Sequence, residues 1–197
     1  MTELIRNFDH DTFAWINGLA GKALWLDRAM VSLVNDYAVP TILSLVLVFL
    51  WLGIEGAAQR EVYQRAVLAT ILAVGLANIL VTLMNLVYFR PRPFATMEVT
   101  LLFYHPTDSS FPSNPATSAF ALATPIWLKS RKIGWALLGV AALYGFSRIY
   151  VGVCYPLDML AGILLGMGSG WLITWLLPRL EPLPSLALRL GRRLYLS

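Results

Sequence analysis

Five stretches of this chain contain no Asp, Glu, Lys or Arg: residues 37–54, 66–89, 109–128, 133–147 and 159–178, with lengths of 18, 24, 20, 15 and 20. A helix that crosses a bilayer needs about 20 predominantly apolar residues. A backbone in hydrocarbon must satisfy its own N–H and C=O groups, so uncharged runs of this length predict helices. The fourth run reaches span length if it continues through Ile149 and Tyr150, with Arg148 at the membrane boundary, where a long stem lets the charge snorkel outward. Composition points the same way: 58% of residues are apolar and only 13% charged, against about 25% in ordinary soluble proteins. A soluble globule, a disordered tail and a nucleic-acid arm are excluded. The single cysteine excludes a disulfide framework and a Cys-cluster metal site, and no nucleotide or metal motif is visible, so no cofactor and no metal is expected. The expected fold is an all-α integral membrane bundle of about five spanning helices, preceded by N-terminal interfacial helices.

Residues 12–35 are apolar at Phe13, Ile16, Ala20, Ala23, Val31 and Val34 but carry Lys22, Asp27 and Arg28, the pattern of amphipathic helices lying at an interface. Met1 is followed by Glu3, Asp9 and Asp11 rather than by a basic start and an apolar core, so no signal peptide is expected. The chain thus divides into an amphipathic region at 1–36, a transmembrane bundle at 37–178 and a basic amphipathic tail at 179–197. Five crossings put nine of the fifteen Lys and Arg residues on the side of the 55–65 loop, the 129–132 loop and the C-terminal tail. The positive-inside bias makes that side cytoplasmic. The expectation is a multi-pass protein of the cytoplasmic membrane whose 90–108 and 148–158 loops face outward.

Polar residues cluster at the outward ends of the spans. One cluster runs from Asn85 through Arg90-Pro91-Arg92-Pro93 and resumes at Ser109-Ser110-Phe111-Pro112-Ser113-Asn114-Pro115; the other runs from Ser147-Arg148 through Cys154 to Asp158. Asn114 is a good N-cap and Pro115 a good first helical residue, so the segment from Ser113 predicts a helix N-terminus whose free N–H groups favour an anion. Arg92 and Arg148 add guanidinium forks that match phosphate geometry, and Arg90 is a further candidate. The plainer alternative is that these arginines reach out to lipid headgroups.

These residues resemble the type-2 phosphatidic acid phosphatase (lipid phosphate phosphatase) family, and in particular its small bacterial undecaprenyl diphosphate phosphatases. The family pattern is Lys, six residues, Arg-Pro; then Pro-Ser-Gly-His or similar; then Ser-Arg, five residues, His, three residues, Asp. The spacing is kept in Asn85 to Arg92-Pro93, in Pro112-Ser113-Asn114-Pro115, and in Ser147-Arg148, Cys154 and Asp158. The resemblance implies that Arg92, Ser113, Asn114 and Arg148 bind phosphate. It also implies that position 154 holds the nucleophile oriented by Asp158, that position 115 holds the general acid, and that position 85 holds a phosphate ligand. Here those last three positions are Cys154, Pro115 and Asn85.

Proline has no proton to give, and loss of a general acid typically costs roughly 100- to 10,000-fold. A thiolate at Cys154 would be favoured by the two arginines and opposed by Asp158 one helical turn away. His105 in the outer loop is a candidate acid. With three machinery positions changed, the expectation is a catalytically degenerate member, not an enzyme, that keeps a phosphate cradle and acts as a lipid binder or an accessory subunit of a membrane complex. The alternative is an active phosphatase for phosphatidic acid or a polyprenyl diphosphate, with Cys154 as nucleophile. The expected partners are membrane lipid and lipid phosphate. Gly162, Gly166 and Gly170 recur every four residues and let another helix approach closely, within the bundle or in a homodimer or larger complex.

Overall fold

The computed structural model describes residues 2–193. It is helical throughout, with α1 (Thr2–Asn17), α2 (Leu24–Val34), α3 (Ala38–Leu52), α4 (Ala57–Val87), α5 (Asn114–Lys129), α6 (Arg131–Tyr150), α7 (Pro156–Leu176) and α8 (Leu183–Arg193). Leu194–Ser197, the end of the expected basic tail, lie outside the described residues. The helices α3 to α7 correspond one to one with the uncharged runs. Three of them, α4, α6 and α7, are by themselves long and apolar enough to cross a membrane; α2 and α3, bent by 56° at their junction, make a fourth when taken together.

The helix α5 has only 16 residues and packs against α4, α6 and α7 at the centre of the bundle. Its composition explains that position. Ala116, Ala119, Ala121 and Ala123 are all buried, and such small side chains let three neighbours approach at once. Thr117 and Thr124 donate their hydroxyls to the carbonyls of Ser113 and Phe120 one turn earlier, so neither carries an unpaired polar group into the apolar interior. Outward-facing residues are large and apolar, among them Phe49, Ile71, Leu83, Leu164 and Trp171, as a surface facing hydrocarbon requires.

The glycine ladder of α7 faces α5. A methyl group at Gly162 would lie 2.6 Å from the Ser113 carbonyl and one at Gly170 would lie 2.7 Å from the Thr124 side chain, while at Gly166 it would collide with the Thr117 carbonyl. This face is filled by α5 of the same chain.

The N-terminal helices close the end of the bundle that carries the 88–113 loop. On α1, Phe13, Ile16 and Asn17 are buried against the end of α6 and the loop that follows it. The Asn17 amide donates to the carbonyls of Thr100 and Tyr150 (2.9 and 2.8 Å) and accepts from the Thr100 N–H (2.9 Å), which joins α1, the long 88–113 loop and α6. At the opposite end, Arg65 on α4 pairs with Glu61 and Glu181 and donates to Ser185, which holds the start of α8 against the bundle.

Candidate active site

Three segments meet at this end: the loop after α4, the start of α5, and the turn between α6 and α7. The helix α5 begins one residue earlier than the sequence suggests. Ser113 is the N-cap, with Asn114 and Pro115 in the first turn, because Pro115 at the second helical position leaves one donor fewer to satisfy without breaking the helix. The Ser113 N–H donates to the Asp158 carbonyl (3.0 Å), which ties the second motif to the third.

Cys154 lies where the motifs join. It is buried, its thiol donating to the Tyr155 carbonyl (3.4 Å). Burial, then the charge of Asp158, pushes the thiol up to about 12, against the opposing influence of the Ser113 hydroxyl, Arg92 and Arg148. Those five groups are the ones that spacing placed together, and the fold does gather Arg92, Ser113, Arg148 and Asp158 around position 154.

The three arginines have different surroundings. None simply reaches out to headgroups. Arg92 is buried and spends its donors inward, on the carbonyls of Val153 (2.7 Å) and Asp108 (3.1 Å) and on the Asp108 carboxylate (2.8 Å), so it fixes the loop to the turn that carries Cys154. Arg90 sits between two fully buried carboxylates, Asp158 on α7 and Asp9 on α1 (2.7 Å to Asp9), with its guanidinium 4.2 Å above the Tyr155 ring. Asp158 also accepts from the Ser110 hydroxyl, and Asp9 from the Leu157 N–H (2.8 Å). Arg148 is 3% exposed and pairs through Nη2 with Asp36 at the α2–α3 junction, while its buried Nε has no partner.

A cavity of about 370 Å³ opens beside this site between α3, α4, α5 and α6. Asp36, Asn114 and Ser118 line its polar part, and Pro115, Leu43 and Leu122 its apolar part. Two predicted participants stand apart. His105 packs edge-on against Phe94 in the outer loop, and Asn85, in the last turns of α4, keeps a buried Oδ1 without a partner.

Asp9, Asp36, Ser110 and Tyr155 were not singled out from sequence. Asp9 and Asp36 lie in a segment that reads as an interfacial strip, where acidic residues are ordinary. No local pattern distinguishes Asp9. A signal for Asp36 does exist in hindsight: it is the last charge before an 18-residue uncharged run, the position from which a carboxylate can turn back into the bundle end.

Residues 66–182, more than half of the chain, match the family model described as PAP2 superfamily. The chain belongs to the PAP2 superfamily. Among its PAP2 relatives, the undecaprenyl-diphosphatase BcrC of Bacillus subtilis strain 168 is 33% identical over 183 residues, covering 92% of this chain and 91% of that protein. The putative undecaprenyl-diphosphatase YbjG of Escherichia coli K12 is 31% identical over 167 residues, 83% of this chain and 80% of that protein. The crystal structure of Aquifex aeolicus LpxE superposes with a TM-score of 0.67 at 28% identity, over 84% of this chain and 94% of that one.

These relatives overturn the expectation of a catalytically degenerate lipid binder that is not an enzyme. Relatives that match 83–92% of this chain at 31–35% identity are named for undecaprenyl-diphosphatase activity or bacitracin transport. The sequence misled because three altered positions were read as lost machinery, although the fold still gathers Arg92, Ser113, Arg148 and Asp158 around position 154.

Proposed function

We propose that this protein is a membrane phosphatase acting on lipid phosphates, with a polyprenyl diphosphate as the substrate class that the names of its relatives suggest. The observation that supports it most directly is the convergence of Arg92, Ser113 and Arg148 on Cys154 at the N-terminus of α5. The spare Nε of Arg148 and the first N–H groups of α5 hold the phosphoryl oxygens, because charge-assisted bonds and the helix dipole both favour them there. Cys154 is the attacking group. As the thiolate it bonds to phosphorus, and water then releases phosphate and regenerates the thiolate.

The site faces the extracytoplasmic side, with the C-terminus cytoplasmic, in line with the distribution of Lys and Arg. Lipid enters from the bilayer with its chain along the apolar part of the cavity and its phosphate at the polar part. Phosphate release from polyprenyl diphosphate by the purified protein, compared with Cys154→Ser, tests the proposal. Turnover near the ordinary enzymatic range of about 1 to 1,000 per second, abolished in the variant, is the expected result. Absence of turnover in the unsubstituted protein defeats it.

A further inference from the structure

A phosphomonoester of an alcohol leaves as an alkoxide unless a proton reaches the departing oxygen, and most groups around Cys154 have none to offer. Arginines do not release protons at neutral pH. Asp158 is enclosed by Arg90 and Ser110, Asp9 is held by Arg90 and the Leu157 N–H, and Pro115 has no donor at all. The two histidines are engaged elsewhere, His10 stacked on Tyr155 (5.1 Å between rings) and His105 against Phe94. Asp36 is different. Its carboxylate lines the cavity together with Asn114 and Pro115, is one-third exposed, and takes one donor from Arg148 and one from the Tyr104 hydroxyl (2.6 Å).

We propose that Asp36 is the proton donor and acceptor of this active site. The inference rests on the phosphatase reading above and goes beyond it by naming the group that handles the proton. The charged and titratable groups that face Asp36 are Arg148 and Tyr144 from α6 and Tyr104 from the long loop. In the empty site Arg148 is paired with Asp36. When a phosphate dianion takes over Arg148, the cation turns to the substrate and negative charge arrives next to Asp36, so the carboxyl group takes up a proton.

The reaction then balances. The Cys154 thiolate forms an S–P bond as the P–O bond to the lipid breaks, the electron pair goes to the lipid oxygen, and that oxygen takes the Asp36 proton and leaves as an alcohol. Water next bonds to phosphorus, sulfur departs as thiolate, and the proton released by water returns to Asp36. A diphosphate needs this proton far less, because its leaving group is a lipid monophosphate whose second ionisation lies near 6, so it departs as a stable anion.

The dependence on leaving group gives the test. The purified full-length protein, Asp36→Asn and Asp36→Glu are assayed with phosphatidic acid and with a polyprenyl diphosphate, and thermal unfolding of each variant is recorded. In Asp36→Asn, kcat on phosphatidic acid should fall about 100-fold or more, the usual value of a general acid, with KM not raised. The loss on the diphosphate should be at least tenfold smaller. Asp36→Glu should recover part of the lost kcat. On phosphatidic acid the rate of the parent should level off or decline at high pH, whereas in Asp36→Asn it should keep rising. Equal losses on both substrates, or none on either, overturn the role of Asp36 while leaving the phosphatase reading in place. So does a parent that hydrolyses only the diphosphate. Failure of the parent on both substrates overturns the phosphatase reading and this role together.

Discussion

Arg90 and Arg148 lie at the same end of the bundle, each bound to carboxylates, yet they have opposite characters. Arg90 is closed: both carboxylates are fully buried, each has a further donor, and an aromatic ring covers the guanidinium. Arg148 is open: one carboxylate that is one-third exposed, one buried donor left over, and a cavity alongside. A buried ion pair with all its hydrogen bonds made is a structural device, because any ligand that disturbed it would have to desolvate the pieces again. A buried cation with a spare donor is ready for an anion from outside. The same residue type is thus closed at 90 and open at 148, and the surroundings decide which.

This contrast breaks first at Arg90. Replacing Arg90 with Ala leaves Asp9 and Asp158 buried together without a cation, a change that costs about 3–5 kcal/mol. In a chain of this size that corresponds to a drop of roughly 6–20 °C in the unfolding midpoint in detergent. A midpoint within a degree or two of the parent would mean that the clamp is not structural. Arg148→Ala should act on chemistry instead, lowering kcat/KM on lipid phosphate by about 100- to 1,000-fold, or roughly 2.7–4 kcal/mol, with a much smaller thermal shift. If the two variants exchanged phenotypes, the distinction between closed and open arginines would be wrong.

The next effect is in the pH dependence. Because the Cys154 thiol sits at about 12, the thiolate fraction grows about tenfold for each pH unit below that value. With a diphosphate, which needs no proton on its leaving group, kcat/KM should rise by nearly tenfold per pH unit, about 100-fold from pH 7 to 9. A profile flat across that range would remove Cys154 as the attacking group. The smallest effect is expected at Asp108, whose carboxylate pairs with Arg92 but is 54% exposed. Asp108→Asn removes only that exposed half of the contact, since the Asp108 backbone carbonyl still accepts from Arg92. It should cost under about 1 kcal/mol. A larger destabilisation would place Arg92 with the closed class for its side-chain pairing and not for its grip on backbone carbonyls.

Much of this arrangement was legible in the chain. The uncharged runs locate α3 to α7 because hydrocarbon tolerates little charge and no unpaired backbone, so membrane burial writes itself into sequence more directly than soluble packing does. The spacing of Arg92, Ser113, Arg148 and Asp158 located the cradle because these residues flank helix ends, where a small shift in number is a small shift in space. Arg90 was only one candidate among three, since its two carboxylates are 81 and 68 residues away in the chain. Asp9 and Asp36 were not legible as site residues. Each has an acidic, amphipathic neighbourhood that fits an interface equally well, and only the folding of α1 and α2 over the bundle end carries them inward.

The triple hydrogen bond of Asn17 has a practical consequence. By grasping the backbone of the 88–113 loop and the end of α6 at once, it makes the first helix a clasp on the loop that carries Arg90 and Arg92. Shortening this helix, or fusing a bulky partner to its start, would loosen that loop even though neither change touches a motif residue. A purification tag belongs at the other terminus, beyond α8, where Arg65 ties Glu181 and Ser185 to the bundle.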